Sequence, residues 1–170
     1  MDFEFFYGAD KNQFQIHELI ENKIYCEELT RKNHRYSKKM LPGEIACAWS
    51  HKKIYEKMLQ QGYERILIFE DDAMPDLQVI SKIPDILIEI PDHAELVLWG
   101  WSKNGQKKLT DSVKQGWYHI QHRLGLLKWN NQMIQNLFAR PYSTHLKTAG
   151  FHDYTFAYSL SQSGAQKLMQ

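Results

Sequence analysis

Apolar residues gather in a few concentrated runs, and the spacing inside each run predicts an element. The strongest helical pattern covers "LPGEIACAWSHKKIYEKMLQQGY". There Ile45, Ala48, Trp49, Ile54, Tyr55, Met58 and Leu59 recur three and four residues apart and draw one broad stripe. Pro42-Gly43 break the chain before it, Glu44 falls in its first turn, and Gly62 stops it. "RILIF" follows after a short turn. It is a continuous apolar run, the pattern of a strand covered on both faces. "AELVLWGW" is a second run of that type. "YTFAYSLS" alternates as a strand does, and "SQSGAQKLMQ" opens a helix with Ser161 as N-cap. "DILIEI" fits a helix end or a strand. Weaker patterns predict a short strand in "DFEFFYG", a helix within residues 13–29 carried by Ile16, Leu19, Ile20 and Ile24, and a basic loop in "TRKNHRYSKKML". Short strands are predicted near Trp117–Ile120 and Asn136–Arg140. The order helix, short turn, buried strand implies an α/β layered architecture, one domain over residues 1–170.

The run "RILIFEDDAMPD" ends in three consecutive carboxylates, Glu70, Asp71 and Asp72, which repel one another and resist burial. Along an extended strand, side chains alternate, so Glu70 and Asp72 share a side and Asp71 takes the other. Strand C-termini in open α/β sheets are where ligands sit. Converging hard oxygen donors suit Mg²⁺ or Mn²⁺. The same three residues also fit a solvated acidic turn that caps the next segment. On the preceding helix, Glu44 and His51 are seven positions apart, which at about 100° per residue places them within about 20° of one face. Cys47 and Ala48 lie between them on that stripe. Two readings stand for this pair. One is a site wall; the other is a partly buried histidine bonded to a carbonyl, with Glu44 favouring the helix N-terminus. His152-Asp153, before the last strand, offer a ligand and a base, or a polar turn. Gly164-Ala165 allow either a ligand or a packed neighbour to approach closely.

Composition narrows the classes. The apolar fraction of 43% and aromatic fraction of 13% are globular values, which excludes disordered and collagen-like chains. A net charge of +1 removes any global electrostatic case for nucleic acid. The charge is unevenly spread. Lys103, Lys107, Lys108, Lys114, Arg123 and Lys128 face only Asp111 between residues 101 and 131, so this segment carries +5 and the remainder about −4. It reads as a solvated loop region or as a surface for an anionic acceptor or a headgroup layer. Cys26 and Cys47 lack metal-type spacing and are read as free thiols. The opening "MDFEFF" is not signal-like, and no apolar run is long enough to span a bilayer. The expectation is a cytoplasmic protein with at most peripheral membrane contact.

Taken in order, "FEFFYGAD", "GEIACAWSHKKIYEKML", "ILIFEDDA" and "HDYTFAYSLSQSGAQKLM" resemble glycosyltransferase family 25, the lipopolysaccharide and lipooligosaccharide galactosyltransferases of bacteria, with collagen galactosyltransferases as distant members. The matches run from residue 3 to 169 and are weakest over about 100–148; Ala46 stands where the family carries glycine. The resemblance implies a GT-A type fold with a Rossmann-like layered sheet, partial here. It implies transfer of galactose from UDP-galactose to a lipid-linked oligosaccharide by an inverting β-galactosyltransferase. Asp72, with Asp71 or Glu70, would hold Mn²⁺ (or Mg²⁺) against the donor diphosphate. Gly8, Asp10 and Glu70 would contact the nucleotide. Glu44 and His51 match the family's helix motif, and Asp153 is the late carboxylate that could serve as base. The basic 101–131 segment would meet the acceptor on the inner face of the cytoplasmic membrane. Relative to the family pattern, both a first strand-helix unit and a closing acidic segment are expected to be missing. An inactive remnant with residual or no nucleotide binding is the alternative expectation. A metal-dependent phosphohydrolase would need more ligands than the chain supplies.

Overall fold

The computed structural model describes residues 3–100, 110–152 and 155–170. Residues 3–10 run without regular secondary structure, so the strand predicted in "DFEFFYG" does not form among the described residues: Phe3, Phe5 and Tyr7 are exposed and pair with no described strand. The helical pattern in residues 13–29 splits into α1 (Ile16–Glu21) and α2 (Glu27–Asn33). The break is at Lys23, which adopts φ +58°, a left-handed conformation no helix interior accepts.

Helix α3 (Pro42–Gln61) has the bounds its pattern predicted. Pro42 begins it, where a missing N–H costs nothing. Gly62 ends it at φ +68°, in the left-handed region. The amides of Gly62 and Tyr63 then return to the carbonyls of Leu59 and Met58. The chain continues into β1 (Arg65–Phe69), then α4 (Leu77–Ile80), α5 (Ile83–Glu89) and β2 (Leu96–Leu98). "DILIEI" is therefore helical. Helix α6 (Asp111–Arg123) occupies the position of the strand predicted at Trp117–Ile120. The aromatic and β-branched residues there suggest a strand locally, but Tyr118 packs edge-on against Trp129, in the stretch just past the helix. α7 (Asn131–Gln135), the short hairpin β3 (Arg140–Pro141) and β4 (Lys147–Thr148), β5 (Ala157–Ser161) and α8 (Gln162–Leu168) complete the described chain.

The principal sheet has the order β1-β5-β2, antiparallel at both contacts. The last strand in the chain therefore sits in the middle, between two strands that precede it by about sixty to ninety residues. Register places Ile68 opposite Tyr158 and Ile66 opposite Leu160. These four share the face that receives α3 and α8, where Met58, Ile68, Tyr158, Leu160 and Ala165 make the main core. The other face is not covered at its edge: Leu67 is 41% and Phe69 54% exposed. "RILIF" is thus a half-covered edge strand rather than one buried on both faces. The α/β class holds, as a mixed chain with small sheets.

Ser161 caps α8, accepting from the Gly164 amide at 3.1 Å. A Cβ on Gly164 would meet the Glu95 carbonyl oxygen at 2.8 Å and Leu160 Cδ1 at 2.9 Å. Close packing, not a ligand, is what needs this glycine. Two further cores stand apart from the first: Leu19, Tyr25 and Ile45, and Leu127, Trp129, Ile134 and Leu137. Arg35 bridges to the latter, its guanidinium 5.3 Å from the Trp129 ring and 5.4 Å from the Phe151 ring.

Candidate functional site

The site is built where α3 passes the C-terminal end of β1. Cys47, His51 and Tyr55 are four residues apart and occupy successive turns of one helix face. Tyr158, fully buried on β5, stands opposite them. His51 Nδ1 lies 2.6 Å from the Tyr158 hydroxyl, which lies 2.8 Å from the Tyr55 hydroxyl. A directional chain, His51 Nδ1–H to Tyr158 and Tyr158 O–H to Tyr55, uses each donor once. Burial, reinforced by the Tyr55 hydrogen bond and by nearby Glu70, holds the Tyr158 hydroxyl protonated well above the usual phenol range. Burial likewise raises Tyr55, against the lowering effect of its bond to Tyr158.

The other ring nitrogen of His51, Nε2, faces Glu70 Oε1 at 3.5 Å. Glu70 is the first residue past β1, with its amide bonded to the Phe156 carbonyl at 2.8 Å, so its side chain is set by pairing with the end of β5. Its Oε1 also accepts from the Thr155 hydroxyl. Cys47 completes the group: one ligand atom each from Cys47, His51 and Glu70 lies within 4.8 Å of the others. Partial burial of the sulfur, together with the Glu70 charge, pushes the Cys47 thiol up. Both cysteines are free thiols, as read from the sequence.

The acids predicted to act as one cluster are therefore divided. Glu70 turns in toward α3, while Asp71 and Asp72 are exposed in the turn that follows. The Ala73 amide closes that turn onto the Glu70 carbonyl at 3.1 Å. Glu44 and His51 share a helix but not a site. Glu44 Oε2 accepts from the Leu41 amide at 2.6 Å, which makes it an N-terminal cap two turns away. Gly8 lies nearer. The Ala9 amide donates to Ser50 Oγ at 2.7 Å, and Ser50 donates to the Ala46 carbonyl at 2.7 Å, docking this loop beside His51. A Cβ on Gly8 would meet Ser50 Oγ at 2.9 Å. Asp10 Oδ1 accepts from the Asn12 amide, fixing a turn. His152 Nε2 donates to the Gly100 carbonyl at 3.2 Å. Asp153 lies outside the described residues.

Tyr55, Tyr158 and Thr155 were not predicted as site residues. The four-residue spacing Cys47-His51-Tyr55 was the available signal. Nothing local marks Tyr158 or Thr155. Of the basic segment, Lys103, Lys107 and Lys108 lie outside the described residues. Lys128 is committed elsewhere, donating to the carbonyls of Arg31 and Lys32 at the end of α2. Among the described residues, no helix is long and apolar enough to cross a membrane.

A family profile described as "Glycosyltransferase family 25 (LPS biosynthesis protein)" matches residues 1–170. A glycosyltransferase 25 family member of Aedes aegypti is 27% identical over 171 residues, covering 100% of this chain and 24% of its own. The human inactive glycosyltransferase 25 family member 3 is 25% identical over 127 residues, covering 75% of this chain and 17% of its own. Human procollagen galactosyltransferase 2 is 26% identical over 133 residues, covering 78% of this chain and 17% of its own. The chain thus spans between about a sixth and a quarter of the curated relatives it matches. No solved structure matches it significantly.

Proposed function

The chain belongs to glycosyltransferase family 25, and from that premise we propose that it moves a hexose, galactose from UDP-galactose, onto a hydroxyl of a lipid-linked oligosaccharide within a GT-A type fold. The observation that carries this is the gathering, along the middle of α3, of Glu70 at the start of the acidic turn after β1, His51 and the Gly8–Ala9 backbone docked on Ser50. A sugar nucleotide needs such a place: hydrogen-bonding backbone for the nucleotide beside carboxylates for a cation. The galactose assignment is supported by the relative named for galactosyl transfer, and the lipid-linked acceptor by the family's description.

Asp71 and Asp72 fit a hard divalent ion, Mn²⁺ or Mg²⁺. They are adjacent, exposed oxygen donors, while Glu70 is engaged with Thr155 and faces His51. When bound, such an ion supplies positive charge against the departing diphosphate. The chain's own groups do the rest. The Gly8–Asp10 backbone borders the nucleotide, where a Cβ at position 8 would crowd the Ser50 hydroxyl at 2.9 Å. His51, held by Tyr158, orients Glu70. In an inverting displacement, the acceptor oxygen bonds to the anomeric carbon, the bond to the diphosphate breaks, and a carboxylate takes the acceptor proton. Asp153 is assigned that base. Lys114 and Arg123 on α6, with the 101–109 segment, would meet an anionic acceptor or headgroup layer from the cytoplasmic side.

The test is a titration of UDP-galactose and other sugar nucleotides with and without Mn²⁺, comparing wild type with Asp72→Ala. Mn²⁺ should tighten binding to wild type and not to the variant. Equal binding by both proteins would sink the metal assignment. A second reading, nucleotide binding without turnover, is favoured by the similarity to a relative named inactive. Release of UDP in the presence of an acceptor separates the two.

A further inference from the structure

We propose that Cys47, His51 and Glu70 form a second cation site, for a borderline divalent ion of the zinc class, distinct from the Asp71-Asp72 pair although His51 and Glu70 also border the proposed donor site. The donor set is the first reason. Thiolate, imidazole and one carboxylate match Zn²⁺ or Co²⁺, whereas a hard ion that contacts a diphosphate prefers oxygen alone.

Geometry is the second reason. Cys47 and His51 project one turn apart from a twenty-residue helix, and Glu70 meets them from the end of β1. The three donor atoms already lie within 4.8 Å of one another. Bond lengths of about 2.0–2.3 Å to a tetrahedral ion bring donors to about 3.5 Å apart, a closure that side-chain rotation can supply. Three protein ligands leave the fourth position open, and Cys47 is exposed, so an ion has a way in.

The supporting contacts are the third reason. A metal-binding histidine usually gives its other ring N–H to an oxygen, which fixes both tautomer and ring plane. Here Nδ1 is 2.6 Å from the Tyr158 hydroxyl, leaving Nε2 on the Glu70 side. The Glu70 carboxylate is in turn bonded by Thr155. Both ligands are thus oriented by a second set of residues before any ion arrives. On binding, the Cys47 S–H bond breaks, sulfur bonds the ion, and the proton leaves to solvent.

Titration of the purified chain with Co²⁺ under reducing conditions tests this. The expected result is a thiolate-to-cobalt charge-transfer band in the near ultraviolet that saturates at one equivalent, with the intense visible bands of a four-coordinate ion. Zn²⁺ should displace it. Cys47→Ser should abolish the charge-transfer band, and Glu70→Gln should weaken binding. Tyr158→Phe should weaken it about 10-fold or more through His51. Asp71→Asn with Asp72→Asn should leave the spectrum unchanged. Far-ultraviolet circular dichroism checks that each variant folds. Absence of the charge-transfer band in wild type, its persistence in Cys47→Ser, or its loss in the Asp71/Asp72 variant would overturn the proposal. Mn²⁺-dependent nucleotide binding is scored separately with Asp72→Ala, so failure at one site is distinguishable from failure at the other.

Discussion

One hydroxyl, that of Tyr158, joins a helix residue and a strand residue more than a hundred positions apart in the chain. Its removal in Tyr158→Phe leaves His51 Nδ1 and the Tyr55 hydroxyl without their shared partner in a partly buried setting. The expected cost is about 1–3 kcal/mol, read as a lower urea midpoint with unchanged slope. A midpoint equal to wild type would mean that water replaces the hydroxyl. A different residue, Glu89, carries a pH dependence. It accepts from the Ser143 hydroxyl, the His145 amide at 3.0 Å and the His145 ring at 2.6 Å, and is held down to about 2. A carboxyl lowered in the folded state stabilises it fully above the ordinary value near 4.5, and that contribution fades as pH falls toward about 2. Amide exchange in residues 143–146 should therefore quicken over that acid range in wild type and show no such step in Glu89→Gln. Exposed as this group is, solvent screens it, so the effect is local.

Elements are held by their ends as much as by their faces. α8 depends on Ser161 at its start and on Gly164 one turn in. Ser161→Ala should cost about 0.5–2 kcal/mol through the lost cap. Gly164→Ala, ordinarily favourable inside a helix, should instead destabilise by about 1–3 kcal/mol, because the new methyl meets the Glu95 carbonyl and Leu160. Thermal melts of the two variants compare these effects directly, and a stabilised Gly164→Ala would show that β2 can move away. The same logic separates what could be read locally from what could not. α3 was legible because Pro42, Gly62 and the apolar stripe all agree, and Ser161 was legible as a cap. α6 was misread because Trp117, Tyr118 and Ile120 favour a strand in isolation, while Tyr118 packs on Trp129 from a helix. "RILIF" was misread because an apolar run reports hydrophobicity, not which of its two faces finds a neighbour.

At the scale of the whole chain, three small cores among the described residues stand in place of one large one, and of these only the first is built across the β1-β5-β2 sheet. Cores that share few contacts open separately. Native-state hydrogen exchange should protect β5 and the C-terminal half of α3 most strongly. The Leu127–Leu137 region and the α1 region should exchange at lower opening free energy. Uniform protection across all three would show one cooperative unit instead. The sequence by itself determined the local items: where α3 starts and stops, that β1 ends in acids, and that a capped helix follows β5. Each rests on neighbours within a few positions. It also carried the family, through four blocks in a set order. What only the tertiary structure decided is which of the three acids faces α3, and against what. Glu70 turns toward His51 because β5 inserts beside β1 and anchors the Glu70 amide on Phe156, leaving Asp71 and Asp72 in the open turn. That outcome depends on a strand arriving from the far end of the chain, and no pattern within "RILIFEDDAMPD" encodes it.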